Sequence, residues 1–299
     1  MKTPNIEYSV IIPTFNREVK LKRAIESCLQ QTKQDFEVIV VDDGSTDGTR
    51  QYIESINDSR VKYFFQKNSG ASSARNNGLS LAAGKYITYL DSDDYYVSNR
   101  LEVISKYHEF MDKGVILTSK ILFVGTDSQI IKPNILFDSK YSISEYMFCD
   151  DGFISTPTIA FSRALASAVK WDEELAYGDD TAYVLALHQS GHEFYMLDMP
   201  LVYVDDVSSS DRLSLKKDLL AMDRWLTNNT CSLSERAVIA FKAKHLSFHG
   251  FWKRPIYFSY FLCLSVYVGI FSFYDFFKYT LRAALPIRIY KLLLNMYKS

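Results

Sequence analysis

Three acidic groups carry most of the chemistry open to this sequence: Asp42-Asp43-Gly44-Ser45-Thr46-Asp47, Asp91-Ser92-Asp93-Asp94 and Gly178-Asp179-Asp180. Carboxylates as close as Asp91, Asp93 and Asp94 repel unless they take up protons or are bridged by a cation. Mg²⁺ and Mn²⁺ accept such oxygen ligands and complete their shell with substrate phosphates. The second group therefore predicts a metal–diphosphate site, with a solvated acidic turn as the alternative. Asp179-Asp180 offers a general base to an acceptor hydroxyl, or an N-terminal cap to a following helix. Asp43, Ser45, Asp47, Gly48 and Glu54 also follow a calcium-loop spacing. Such a loop needs a helix before it, however, and Phe36–Val41 reads as a strand. The first strand is followed by no Gly-x-Gly-x-x-Gly, which counts against a dinucleotide fold.

The elements that must position these groups alternate in type. Tyr8–Ile12 is a short β-rich run ending at Pro13, and Glu18–Gln31 spaces Leu21, Ile25, Cys28 and Leu29 along one helical face. Phe36–Val41, Val61–Phe65 and Tyr86–Leu90 read as further strands. Between them lie a helix that Asp47 caps, reaching about Ile56, and another over Ala71–Ala83. This alternation predicts a mostly parallel sheet with helices on both faces. Ligands of such sheets bind beyond the carboxyl ends of the strands. Pro13–Arg17, Asp42–Asp47 and Asp91–Asp94 all follow strands, so they should converge on one crevice. Further on, Val115–Val124 and Phe194–Val204 read as strands. Thr181–Gln189 is a helix with Tyr183, Val184 and Leu187 inward, and Val207–Ser214 has loop composition.

Four segments in order resemble the family-2 glycosyltransferases of GT-A fold. They are Ser9-Val10-Ile11-Ile12-Pro13-Thr14-Phe15-Asn16-Arg17, Val40-Val41-Asp42-Asp43-Gly44-Ser45-Thr46-Asp47, Asn68-Ser69-Gly70-Ala71-Ser72-Ser73-Ala74-Arg75-Asn76-Asn77-Gly78 and Tyr89-Leu90-Asp91-Ser92-Asp93-Asp94. The likeness is dense over residues 8–100 and thinner to about 205. The stretch from Thr156-Pro157-Thr158 through Trp171-Asp172-Glu173 to Asp180 resembles the family's acceptor half. The resemblance implies an α/β GT-A domain over 1–205, with a donor half of about 1–100 and an acceptor half of about 101–205, and composition adds a helical, aromatic and basic membrane-associating extension over 206–299. It implies that Pro13, Thr14, Asp43, Asn68, Arg75, Asp91 and Ser92 face the nucleotide. Asp43 accepts from a base N–H, Arg75 lies near the uracil or diphosphate and Asp91 approaches the ribose. Asp93 ligates Mn²⁺ or Mg²⁺, Asp180 is the catalytic base, and Asp179 and Thr156 meet the acceptor. Many relatives carry Glu where Asp179 stands, a shorter arm that bears on acceptor identity. The implied reaction is an inverting transfer of a hexose or N-acetylhexosamine from a UDP-sugar to a polyprenyl-diphosphate-linked saccharide in surface polysaccharide synthesis. Relatives often have a basic residue or His after the strand ending near Val204; here the chain reads Asp205-Asp206-Val207-Ser208. His245, His249 and Arg212 are the substitutes the sequence offers.

Length and composition are ordinary for a globular chain: 299 residues, 47% hydrophobic and 23% charged, with a high aromatic fraction of 15%. The net charge of −1 hides an asymmetry. Residues 241–299 carry nine Lys/Arg against one acid, Asp275, a net +8, and the first 240 residues carry −9. Ile256–Tyr274 is uncharged but diluted by tyrosines and serines. It is read as an interfacial attachment to anionic lipid, against the alternatives of a buried helical core and a true span. No nucleic-acid-binding module accompanies the charge. The scattered Cys28, Cys149, Cys231 and Cys263, with no leader at Met1–Glu7, point to free thiols in a reducing cytoplasm. The expectation is a cytoplasmic enzyme held peripherally at the inner face of the plasma membrane. A nucleotidyltransferase is the rival enzyme class, and a non-catalytic nucleotide-sugar-binding scaffold the rival of another kind.

Overall fold

The computed structural model describes residues 6–125, 129–175, 178–205, 219–285 and 289–290. The chain forms two compact units. The first comprises Met1–Lys140, Phe153–Glu174 and Asp179–Ser209, and the second Tyr141–Gly152, Leu175–Gly178 and Ser210–Ser299.

The chain begins in the first unit with β1 (Tyr8–Thr14), α1 (Glu18–Leu29), β2 (Phe36–Asp42), α2 (Thr49–Glu54), β3 (Val61–Phe65), α3 (Ala71–Leu81) and β4 (Tyr86–Tyr89). It continues with β5 (Asp94–Tyr96), α4 (Arg100–Ser105), α5 (His108–Asp112), β6 (Ile116–Val124) and β7 (Gln129–Lys132). After α6 (Ile143–Phe148), in the second unit, come β8 (Ala160–Ser162), α7 (Asp179–Gln189) and β9 (Phe194–Asp205). Nine strands of the described residues form one sheet in the order β3-β2-β1-β4-β8-β6-β9-β5, with β7 off this path and antiparallel to the end of β6.

The half built from β3, β2, β1 and β4 is parallel, as the alternation of strands and helices predicts. Beyond β4 the sheet is mixed: β8 runs antiparallel to both β4 and β6, β9 parallel to β6, and β5 antiparallel to β9. β1 and β2 are buried along their whole length, as strands covered on both faces must be. β1 runs through Pro13 instead of stopping at it. Beyond Ile11 only β2 pairs with β1, so the missing N–H of proline breaks no ladder on the β4 side.

α1 turns Leu21, Ala24, Ile25 and Cys28 onto the sheet core. α3 approaches β1 closely because Gly78 has no side chain; a Cβ there would stand 2.4 Å from Ile11 Cγ2. Buried Glu37 ties three elements, accepting from Ser9 Oγ (2.5 Å), Lys62 Nζ (2.5 Å) and Ala83 N (2.7 Å). Burial pushes its carboxyl up, but these donors outweigh that and hold it below the usual range. Asp47 caps twice, accepting from Thr49 N of α2 (3.1 Å) and from Glu18 N of α1 (3.2 Å).

The second unit continues with α8 (Leu219–Asn229), α9 (Glu235–Phe241), a π turn at Lys242–Leu246, α10 (Ser247–Gly250), α11 (Pro255–Tyr267) and α12 (Phe273–Ala284). Trp225 and His245 stack on Phe241, Phe148 meets Trp225 and Phe241 edge-on, and Leu262, Phe271 and Tyr279 form a further cluster. Lys244 is buried, donating to Asp151 (2.6 Å) and to the Cys149 carbonyl (3.0 Å). The uncharged run Ile256–Tyr274 is not one helix. α11 ends at Tyr267, Gly269 turns the backbone at φ +70°, and α12 restarts on a capping box between Ser272 and Asp275. Among the described residues no helix is long and apolar enough to cross a membrane.

Candidate active site

The three polar segments that follow β1, β2 and β4 meet. Thr14 O accepts from Asp43 N (2.8 Å), and Ser45 Oγ accepts from Asn16 N (2.9 Å). Asn16 Oδ1 accepts from Thr46 N (2.7 Å), and Arg17 pairs with Asp93 at 2.7 Å. Asn16 adopts φ +51°, a left-handed conformation that Asn tolerates better than most residues. Pro13 and Thr14 are buried at the end of β1.

Asp43 is a buried anchor. Its Oδ1 accepts from Gln66 Nε2 (2.7 Å) and Ser69 N (2.7 Å), and its Oδ2 from Gly70 N (2.8 Å). These bonds fix the loop into α3 and leave about one of four acceptor positions on the carboxylate open. Asn68, on the same loop, is exposed. Its backbone passes so near Gly44 that a Cβ there would meet Asn68 N at 2.9 Å, and Gly44 itself needs φ +87°.

The turn Asp91–Asp94 closes through Asp94 N to Asp91 O (3.0 Å) and sends its carboxylates to different partners. Asp91 accepts from Arg75 Nη2 at 2.9 Å, whereas Asp93 pairs with Arg17, and Arg23 donates to the Asp93 carbonyl at 3.3 Å. Ser92 between them is buried. Arg75 and Arg17 thus bring positive charge to an acidic group for which the sequence offered a metal site or a solvated turn. Arg75 is the hub. Its guanidinium is 6% exposed and also donates to Asp179 Oδ2 at 2.9 Å, with Asp180 Oδ1 at 4.0 Å. Its underside lies 4.4 Å above the ring of Trp171, which stacks on Tyr183.

Asp180 opens α7 beside Asp179, and Thr156 Oγ1 donates to its Oδ1 at 2.6 Å. Burial and the adjacent Asp179 push its carboxyl up to about 7, against the pull of Arg75 and Thr156. Asp91 is also raised, by burial and then by Asp93 and Asp179, with Arg75 opposing. Asp180, with a carboxyl raised to about 7, can exchange a proton near neutrality, and both it and Asp91 reach the same Arg75 guanidinium.

Sequence reasoning missed the supports. Arg100 is fully buried and donates to Thr88 Oγ1 (2.9 Å) and to the Thr158 carbonyl (3.3 Å), fixing the turn that carries Thr156. Asn76 clasps Trp171 by accepting from its N–H and donating to its carbonyl, both at 2.9 Å. Residue type did not single them out, since Asn76 lies in a polar stretch of α3 and Arg100 opens the mixed helix α4. Of the substitute ligands, Arg212, the segment Asp206–Ser208 and the His249 side chain lie outside the described residues. His245 stacks on Phe241 in the second unit. Among the described residues no three His, Cys, Asp or Glu stand close enough to enclose a metal ion.

Comparison with known proteins gives this geometry relatives. Uncharacterized glycosyltransferases of Rickettsia match first, and the chain spans a quarter or less of their length. The amylovoran biosynthesis glycosyltransferase AmsB of Erwinia amylovora is 28% identical over 81% of this chain and 84% of its own. The Escherichia coli UDP-Glc:alpha-D-GlcNAc-diphosphoundecaprenol beta-1,3-glucosyltransferase WfgD is 36% identical over 42% of this chain and 47% of its own. Among solved structures, Staphylococcus aureus TarS 1–349 in complex with UDP-GlcNAc superposes with a TM-score of 0.65 at 23% identity, covering 86% of this chain and 79% of that one, a likeness of fold. The model of the glycosyl transferase family 2 matches residues 9–169, which take in the crevice from β1 to Thr156, and the chain belongs to that family.

Proposed function

We propose that the chain transfers a hexose or N-acetylhexosamine from a UDP-sugar to a lipid-linked saccharide, with inversion at the anomeric carbon. The observation that carries this reading is the Arg75-bridged set of Asp91, Asp179 and Asp180, with Asp180 raised to about 7. A base near neutral pKa suits the deprotonation of a hydroxyl as it attacks. Asp180 takes the acceptor proton while the acceptor oxygen bonds to the anomeric carbon, opposite the breaking bond to the nucleoside diphosphate. Thr156 and Arg75 hold the base in place, and Asp179 is the acceptor contact. The open acceptor position on Asp43 receives a base N–H, while Asn68 and the Asp91–Ser92 turn border the nucleotide.

Asp93, paired with Arg17 at 2.7 Å, would have to exchange that partner to hold a divalent ion of the Mg²⁺ or Mn²⁺ type, which binds through one or two carboxylates plus substrate phosphates. Such an ion supplies positive charge to the departing diphosphate. The UDP carrier and lipid-diphosphate acceptor are supported by the names of WfgD and of the TarS complex. An acceptor of that kind places the work at a membrane surface, at the inner face of the plasma membrane in this reading.

Thermal stability under a panel of nucleotide-sugars, with Mn²⁺ and then with chelator, tests the reading. One UDP-sugar should raise Tm with the metal and lose most of that effect with chelator. An unchanged Tm with every donor overturns it.

A further inference from the structure

In the second unit α12 shows two apolar faces where one suffices for a core. Tyr279 and Ala283 are buried, and Phe276 packs with Tyr279 and Phe271. On the opposite side Phe273 (75% exposed), Phe277 (62%) and Leu281 follow at steps of four, with Tyr274 (59%) alongside. Trp252, 75% exposed, extends this face at the helix end by donating from its indole to the Ala284 carbonyl (3.2 Å). Next round the helix come Lys278 and Arg282, whose charges lie over the rings of Tyr279 and Phe248. Lys253 and Arg254 beside Trp252 are exposed. The single acid, Asp275, is spent on the capping box.

Large aromatic side chains left in water in such a row, bordered by basic charge, match the anatomy of a helix lying in a membrane interface. Its rings reach the acyl boundary and its cations meet phosphate headgroups. We propose that Trp252, Phe273, Phe277 and Leu281 form an in-plane insertion face for anionic phospholipid, with Lys278 and Arg282 reading the headgroups. The purpose of this face rests on the lipid-linked acceptor proposed above, but its binding does not: it is measured without donor or acceptor.

Trp252 is a built-in probe, since Trp171 and Trp225, the other two of the chain's three tryptophans, are buried. Full-length protein is titrated with phosphatidylcholine vesicles containing or lacking about one-third phosphatidylglycerol. A blue shift of tryptophan emission and co-sedimentation with the anionic vesicles are expected. F277E with L281E should weaken partitioning about tenfold or more, and K278E with R282E should remove the preference for anionic lipid. Phe277 and Leu281 are exposed, so F277E/L281E should melt like the parent chain, and K278E/R282E, which gives up contacts with the Tyr279 and Phe248 rings, is read only where its melting shows a folded chain. Partitioning unchanged by F277E/L281E overturns the proposal. So does a parent chain that ignores vesicles yet is a dimer dispersed by those substitutions, for then a second copy covers the face. Donor binding in vesicle-free buffer reports separately on the catalytic reading.

Discussion

At the scale of single residues the site is a contest between partly exposed carboxylates and two arginines. Asp180 has a folded pKa near 7, well above the value of a free aspartate. The folded state therefore holds a proton that the unfolded chain has released, and this group's contribution to stability falls as pH rises from about 4 towards 7. Asp180→Asn removes that dependence, so the variant should melt at a higher temperature than the parent at pH 8 while turnover falls by about two to four orders of magnitude. Equal turnover would exclude Asp180 as the base. In the parent, kcat/KM should rise with pH through about 7 as Asp180 ionises. Arg75→Lys cannot keep the fork to Asp91 and Asp179 together, and a rate loss of about 10- to 100-fold is expected, the value of a charge-assisted hydrogen bond. Because Arg75 pulls the Asp180 pKa down through its charge, Arg75→Gln should move the pH profile to higher pH, and Arg75→Lys, which keeps the charge, should move it less.

At the scale of elements, buried polar struts decide how strands and helices are held. Glu37 joins β1, β2, β3 and the end of α3 through Ser9, Lys62 and Ala83. Glu37→Ala leaves their donors unmet, and chemical denaturation should show a loss of about 2 kcal/mol, moderated because Lys62 reaches water. Since the Glu37 pKa is depressed, its contribution is present at neutral pH and is lost as pH falls through the folded value. Asp47→Ala uncaps α1 and α2 together and should cost about 1–2 kcal/mol. Donor affinity should drop too, because the Asn16–Ser45 contacts lie between those two helix starts. The β1, β2, β3, β4 and α3 boundaries were legible to within two residues from periodicity and punctuation. The reversal of β8 and the position of β5 at the far edge were not, because Ala160–Ser162 and Asp94–Tyr96 are too short to show a period.

At the scale of the molecule, the sequence shows an acidic first part and a basic, aromatic last part, and the two compact units follow that division only in part, since Tyr141–Gly152 joins the second. The uncharged stretch Ile256–Tyr274 illustrates the limit of reading by window. Its composition permits a long helix, yet Gly269 and the Ser272 capping box divide it, and part of its aromatic content then faces outward. Within the first unit, Mn²⁺-dependent donor stabilisation should disappear in Asp93→Ala, with calorimetry of UDP-sugar binding as the check. Retained metal-dependent heat would remove Asp93 from the proposed metal site.

The sequence by itself determined the family, the parallel half of the sheet and the meeting of the post-strand segments, because those follow from residue type and spacing along the chain. It also brought Asp43, Asp91, Asp93 and Asp180 forward, since clustered acids are conspicuous. Only the tertiary structure decided which cation each acid meets. Arg75 reaches Asp179 across 104 positions of sequence and Arg17 reaches Asp93, pairings that no local pattern encodes. The raised pKa of Asp180 belongs to the same class: it arises from burial and the charges around it, which exist only once the chain is packed.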